Sequence, residues 1–473
     1  MSANEASSIV IADRPTHGEP RPYQFPRFER EELSNGLGLI AIHLPGRALV
    51  TASLVLASGA VDEPAEQAGV TVLMARALTE GTANYDAVAL TEAAERLGAS
   101  LHAEAGWDGL SISVEVPAER LSPALALAAE VAREPTFPAA EVDRLRDERL
   151  NDLLQAKADP RRRADDAFVE TIYAPGSPYG RPSGGTDATV PGLDAEATRQ
   201  LHQRRLDPSR MTLIIGGDLE AVGEDVRAIV EARFGDWSSN PDAEEPTTPK
   251  VAAAREERFV RVIHRPGSVQ TEIRVGHLGL PRLIPDFHAV SVMSAILGGL
   301  FNSRLNRKLR EEKGYTYGAG AGFDMRRGVG PFAVRAAVNT EVTVPAIQEM
   351  FVELEAMRDG PPTRDELHAA RDYLGGVFPL RFETPPAVVG AIAGLLIHGL
   401  PMDELDRYRP AIEAVSDADV VAAARDHVQP SKAAVVLVGD ADAILPELEG
   451  AAIGPITVER EALPSPGAAA DAA

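Results

Sequence analysis

Short stretches in the two halves of this chain repeat each other in order and spacing, and this repeat is the feature that most constrains the fold. The segment from Gly98 to Asp108 aligns without gaps with Gly314 to Asp324 and is identical at five positions. Two further matches follow in the same order, Arg146-Asp147 with Arg371-Asp372 and Pro208-Ser209-Arg210 with Pro430-Ser431-Lys432. The three offsets are 216, 225 and 222 residues. Chance matches do not keep order and spacing together, so the sequence predicts two homologous domains.

Hydrophobic periodicity indicates the elements within the repeat. Alternating apolar residues predict strands at Phe28 to Leu33, Gly38 to His43, Val50 to Leu56, Leu110 to Val116 and Met211 to Gly216. Apolar residues at helical spacing predict helices at Val70 to Leu78, Asp86 to Leu97, Pro123 to Arg133 and Ala139 to Lys157. Because strands and helices interleave, the class is mixed, either α/β or α+β.

A change in composition marks the domain boundary. From Ser238 to Glu257 the chain is rich in Ser, Asn, Asp, Glu, Thr and Pro, which is typical of a linker. We therefore predict five parts: a polar N-terminal arm (1–25), a first domain (26–237), the linker (238–257), a second domain (258–445) and a C-terminal tail (446–473).

Charge and cysteine content exclude several classes of function. The formal net charge of -24 would repel nucleic acid and anionic membranes, so we expect neither as a partner. The absence of cysteine excludes disulfides, thiol catalysis and cysteine metal sites. We see neither a transmembrane segment nor a secretory signal in the sequence. A cytoplasmic location is favoured, and an exported form whose signal peptide has been removed is compatible with the same sequence.

The stretch from Leu309 to Asp324 carries the main candidate for chemistry. A charged helix is predicted to end at Gly314, and a strand is predicted to begin with Tyr315, Thr316 and Tyr317. Arg310 and Tyr317 could then converge on one point as hydrogen-bond donors to a peptide carbonyl. From the residues alone, a solvated helix arginine and a packed strand tyrosine explain the same pattern.

The second half resembles a known family of zinc enzymes. The run Ile296-Leu297-Gly298-Gly299, then Ser303-Arg304-Leu305, then Leu309-Arg310-Glu311 with Gly314 and Tyr317, is similar to the C-terminal half of the pitrilysin/insulinase metallopeptidases. The resemblance extends from about Pro26 to about Ala443. It implies an α+β fold in which two repeated domains form a clamshell, each a mostly antiparallel sheet with helices on one face. It also implies that Arg310 and Tyr317 bind substrate opposite a zinc ion.

The zinc motif of that family is degenerate in this chain. Active members carry His-x-x-Glu-His on a first-domain helix. Here the two histidine positions hold Val72 and Arg76, and the position of the general base holds Ala75. The third ligand position, counted back from Asp159-Pro160, is Asp152. Valine cannot ligate a metal and an arginine cation repels Zn²⁺, so we predict no zinc in this chain and an ion pair between Arg76 and Asp152 in its place.

The chain lacks the zinc ligands but keeps the Arg310/Tyr317 pair. In this combination it resembles the non-catalytic subunit of heterodimeric family members. This predicts a homologous partner subunit that holds the zinc, with a peptide as substrate. The chain alone is predicted to be inactive, and Gly318, Ala319 and Gly320 are predicted to hold the peptide by β-augmentation. The alternative is a structural or peptide-binding subunit of a larger complex with no part in hydrolysis.

Overall fold

The computed structural model describes residue 18 and residues 21–460. Of the predicted N-terminal arm, it therefore includes residue 18 and residues 21–25. Within this described part, no single helix is long and apolar enough to cross a membrane. One pair of helices, Arg364–Phe382 with Pro385–His398, meets the criteria of length and composition only when the two are taken together across a 113° bend.

The first half forms a six-stranded sheet with the order β1-β2-β6-β3-β5-β4. Only β2 and β6 are parallel neighbours, and every other pairing in this sheet is antiparallel. The strands are β1 (Arg30–Glu32), β2 (Gly38–His43), β3 (Leu49–Leu56), β4 (Ser100–Ala105), β5 (Leu110–Pro117) and β6 (Met211–Gly217).

The second half forms a six-stranded sheet with the corresponding order β12-β7-β11-β8-β10-β9. Here β7 runs parallel to both β11 and β12, and the remaining pairings are antiparallel. The strands are β7 (Phe259–His264), β8 (Gln270–Leu278), β9 (Ala319–Phe323), β10 (Pro331–Asn339), β11 (Ala434–Gly439) and β12 (Ile456–Glu459).

The helices lie between the strands in both halves, mostly several in succession. Those of the first half are α1 (Val70–Ala77), α2 (Ala87–Arg96), α3 (Leu121–Arg133), α4 (Ala139–Ala158), α5 (Pro160–Ile172), α6 (Ala195–Arg205) and α7 (Val226–Phe234). Those of the second are α8 (Phe287–Ser294), α9 (Arg304–Asn306), α10 (Thr343–Asp359), α11 (Arg364–Val377), α12 (Pro385–His398), α13 (Glu404–Ala414), α14 (Asp417–His427) and α15 (Ala441–Gly450). Two π-helical segments interrupt the second half, π1 (Ala295–Gly299) and π2 (Arg307–Glu312).

The predicted repeat is confirmed as two α+β units with the same topology. When the edge strands β1 and β12 are left out, the five remaining strands of the first sheet are connected and arranged in the same way as those of the second. The glycines that open the aligned segment, Gly98 and Gly314, both have a φ of 67°. This left-handed conformation carries little strain for glycine and is strained for most other residues, which explains why glycine stands at both positions.

Each half contributes one helix to the sheet of the other half. Helix α5 packs on β8 and β11 of the second sheet, and α12 packs on β3 and β6 of the first. Both helices start in the same way, with a capping side chain followed by proline: Asp159 accepts from the backbone of Arg162, and Thr384 from that of Ala387. We predicted helices on one face of each sheet. The structure corrects this prediction, because α5 and α12 cover the second face.

Apolar side chains fill both of the crossed contacts. On the first sheet, Val389 and Ile392 of α12 are buried with Ile214 of β6. On the second, Phe168 of α5 is buried with Val436 of β11. The burial of apolar area on both sides joins the two halves into one folded unit.

A buried ion pair also ties the halves together. Nη2 of Arg327, in the second half, donates to both carboxylate oxygens of Asp62 at 2.7 and 2.8 Å. Nη1 of the same guanidinium donates to the carbonyl of Ala57 at 2.7 Å. The backbone N–H of Arg327 donates to Asp108 at 2.8 Å. The two charged side chains are 12% and 8% exposed. The arrangement fixes the loop that follows β9 against the first domain.

The structure also corrects the predicted end of the second domain. Residues 446–459, predicted as a tail, include the end of α15 and the strand β12. Strand β12 pairs with β7 from Ile456 to Glu459, so the second sheet continues past residue 445. Residues 461–473 lie outside the described part, and the predicted linker 238–257 contains no helix or strand.

Candidate functional site

The degenerate zinc positions lie together at a cavity of about 550 Å³. Helix α1 begins after Gly69, whose φ of 102° turns the chain into the helix. Val72 and Arg76, one helical turn apart on α1, line the cavity with Asp152 of α4. Ala75 is buried behind them. The frame of the family's metal site is therefore kept while its ligands are replaced.

The charged groups of this cavity bind each other in an arrangement that does not fit a metal. The predicted ion pair between Arg76 and Asp152 is wrong, because Arg76 donates instead to Glu148 at 2.7 Å. This contact is the main cause that lowers the pKa of Glu148. Asp152 accepts from Arg149 and, at 2.8 Å, from Arg162. An apolar side chain and three guanidinium groups thus occupy the space where a dication and its ligands would lie.

A second group of possible metal ligands has a structural explanation. Atoms of His264, Asp440 and Asp442 lie within 4.8 Å of one another. However, Nδ1 of His264 accepts the backbone N–H of Ala441 at 3.1 Å, and Asp442 is paired with Arg460. The first half repeats this geometry, since Nδ1 of His43 accepts the N–H of Leu219 at 3.2 Å. In each domain the duplicated contact joins the end of one strand to the residues that follow its parallel neighbour.

Arg310 lies on the π-helical segment π2 and has no partner of opposite charge among the described residues. It is half-buried, and its guanidinium carbon lies 4.3 Å from the centre of the Phe301 ring. Within residues 21–460, no side chain or carbonyl oxygen accepts a hydrogen bond from it. π-Helical turns are rare and occur often at functional sites.

Tyr317 lies beside Arg310 at a separate cavity of about 490 Å³. Both residues line this cavity together with Gly318, Ala319 and Gly320, so the structure brings the five predicted site residues to one place. The Tyr317 side chain is 96% exposed. Its hydroxyl group therefore faces solvent and is available to a ligand.

The strand near Tyr317 begins later than predicted. The backbone N–H of Tyr315 donates to Leu309 at 2.8 Å, which closes the helix end, and the Thr316 hydroxyl donates to the carbonyl of Gly318 at 2.9 Å. These bonds accompany an irregular stretch at residues 315–317, and β9 starts at Ala319.

The outer edge of β9 is only partly open. The N–H of Ala319 donates to Asn306 Oδ1 at 2.9 Å. A Cβ on Gly298 would lie 2.2 Å from the backbone nitrogen of Ala321, so π1 passes directly against this strand. Addition of a peptide strand along the whole edge, as predicted, is therefore restricted to its beginning near Gly318 and Gly320.

The two cavities adjoin at Arg335, which lines both. Arg335 lies 3.5 Å from Asp165 of α5, and Asp165 also accepts from the buried Arg274 at 2.7 Å. Sequence patterns missed these residues, because the contact depends on α5 crossing to the second sheet. Nearby, burial and the neighbouring Glu170 raise the pKa of Asp166, another residue at the first cavity.

Family models match both halves of the chain. Residues 39–186 match the model described as insulinase (peptidase family M16), and residues 192–374 match the peptidase M16 inactive domain. An uncharacterized zinc protease of Mycobacterium tuberculosis is 24% identical over 409 residues, which cover 86% of this chain and 92% of the relative. A non-peptidase homolog of Helicobacter pylori is 24% identical over 344 residues, covering 71% and 76%.

A solved structure agrees with the family models. The peptidase M16 inactive domain from Pseudomonas fluorescens superposes with a TM-score of 0.77 at 25% identity and covers 87% of this chain and 98% of that one. The matched segments include both α1, with its degenerate metal positions, and π2, with Arg310. The chain belongs to the insulinase family of peptidases, M16, as a non-catalytic member.

Proposed function

We propose that this chain is the non-catalytic subunit of a heterodimeric zinc metallopeptidase, in which Arg310 and Tyr317 bind the peptide beside the zinc ion of a homologous partner subunit. One observation carries the proposal: both donor groups line the same cavity, and no group within the described chain accepts a hydrogen bond from either of them. A solvated arginine on a charged helix ordinarily pairs with a carboxylate, as its neighbours on this helix do.

The partner's zinc would supply an activated water for attack on the scissile carbonyl. The residues of this chain would act on the carbonyl oxygen as it gains negative charge. The Arg310 guanidinium and the Tyr317 hydroxyl would each donate a hydrogen bond to that oxygen, and one such donor contributes roughly 3 kcal/mol to transition-state stabilisation. Gly318 and Gly320 have no side chain, so the peptide backbone can lie close to the start of β9.

Substitution of the pair in the assembled enzyme tests the proposal. The chain is co-expressed with its zinc-bearing homologue, and assembly is checked by size-exclusion chromatography. We expect Arg310→Ala or Tyr317→Phe to lower kcat roughly 100-fold while the complex still forms. The double variant should lose less than the product of the single effects, because both groups serve one developing charge.

Matched controls come from the same helix and from an exposed tyrosine elsewhere. Arg307→Ala removes an arginine of π2 that is paired with Glu366, and Tyr373→Phe changes a half-exposed tyrosine of α11. Both controls should keep wild-type turnover. If both site variants also keep it, the chain takes no part in hydrolysis and acts as a structural or peptide-binding subunit.

A further inference from the structure

Phe301 is a large apolar side chain left in contact with water beside the Arg310 cavity. It is 71% exposed, while the preceding residue, Leu300, is buried. Leu300 separates Phe301 from the end of π1, and Arg310 lies on π2. Phe301 also lines the cavity that holds Arg310 and Tyr317.

The other cations of this helical region are paired with carboxylates. Arg304 and Arg307 both donate to Glu366, at 2.9 and 3.1 Å. These contacts help to lower the pKa of Glu366 to about 2. Further along, Lys308 pairs with Glu312 and Lys313 with Glu349, each at 2.6 Å. Arg310 alone among these five cations has an aromatic ring as its partner.

The choice of partner decides what Arg310 can bind. A carboxylate would neutralise the guanidinium and occupy two of its five N–H donors. The face of a phenylalanine ring attracts the cation, yet it leaves the in-plane N–H groups available. Arg310 is therefore held in place while its charge and its hydrogen bonds remain free for a ligand.

We propose that Phe301 is a positioning residue that holds the Arg310 guanidinium at the substrate cavity through a cation–π contact. The role in turnover rests on the proposed function, whereas the contact itself exists in the isolated chain. Phe301 need not touch the reacting atoms. Its effect passes through the orientation of Arg310, so it should alter kcat more than KM.

The test combines a structural and a kinetic measurement on the full chain. In the isolated chain labelled with ¹⁵N-arginine, the Arg310 Nε–H signal should carry a ring-current shift that Phe301→Leu abolishes and Phe301→Trp keeps. In the assembled enzyme, Phe301→Leu should lower kcat about fivefold with little change in KM, and Phe301→Trp should retain turnover. Tyr373→Leu, at a half-exposed aromatic on α11, is the control and should change neither readout.

Three outcomes are decisive. An additional loss from Phe301→Leu in the Arg310→Ala background overturns the proposal, because a residue that acts through Arg310 has no effect once Arg310 is gone. If Arg310→Ala lowers turnover and Phe301→Leu leaves it unchanged, the role of Phe301 alone is refuted. If neither variant changes turnover, the proposed function fails and the kinetic role fails with it, while the ring-current shift still reports the contact.

Discussion

Asp62→Asn should weaken the connection between the two halves of the chain. The substitution keeps the side-chain volume and one carbonyl acceptor, but it removes the negative charge opposite Arg327. That guanidinium is 12% exposed and donates to Asp62 through two contacts below 3 Å. Breaking a buried ion pair from one side costs about 3 kcal/mol, because the remaining charge stays buried without a counter-charge.

The expected change in melting temperature follows from the size of the protein. An unfolding entropy of about 2.1 cal/mol/K per residue gives roughly 1.0 kcal/mol/K for a cooperative chain of this length. A loss of about 3 kcal/mol then lowers Tm by about 3 °C. Differential scanning calorimetry should show this decrease, or a split of one transition into two as the halves uncouple.

The surface pair of Glu92 and Arg96 provides the control. Both side chains are more than half exposed and lie one turn apart on α2. Glu92→Gln should therefore cost under about 0.5 kcal/mol. If Asp62→Asn melts as Glu92→Gln does, the buried pair does not hold the halves together and the reasoning is refuted.

Two further predictions concern metal and pH. Purified without metal and reloaded with zinc, the chain should hold far less than one equivalent by elemental analysis, because Val72 and Arg76 replace ligands; one tightly held zinc per chain would contradict this. Burial lowers the pKa of His277 from 6.5 to about 4. As the pH falls, His277 is therefore protonated in the unfolded chain before it is protonated in the folded chain. Its burial costs no stability above pH 6.5, and the free energy of unfolding should fall by roughly 3 kcal/mol as the pH drops to 4. The urea concentration at the unfolding midpoint should fall less over this pH range in His277→Asn than in the wild-type chain. An equal fall in both would show that His277 does not cause the pH dependence.

Local signals in the sequence were sufficient for much of the fold. Strand β2 has its predicted bounds, Gly38–His43, because its apolar alternation is bounded by turn residues on both sides. Helix α4 starts at its predicted residue and ends one residue later. Arg310 and Tyr317 line one cavity, and the glycine at the helix end, which reverses the chain toward the next strand, is the local signal for this proximity.

Contacts between distant parts of the chain were not predictable in the same way. The apolar face of α5 indicates that the helix is buried, but nothing in its periodicity says which sheet covers it. Two possible acceptors for Arg76, Glu148 and Asp152, lie one turn apart on α4. Asp152 is already paired with Arg149 and Arg162, so Arg76 binds Glu148. The late start of β9 goes with two local hydrogen bonds, from the backbone of Tyr315 and from the hydroxyl group of Thr316.

The crossed helices bear on how such a chain could have arisen. A protein made of one copy of the repeat would leave Ile214 or Val436 uncovered on its sheet, so it would need a second copy to exchange α5 or α12 with. Such a single copy could cover both of its sheet faces only as a domain-swapped homodimer. Fusion makes the exchange independent of protein concentration. It also allows the two copies to diverge, so that the first carries Val72 and Arg76 at the metal-ligand positions while the second carries Arg310.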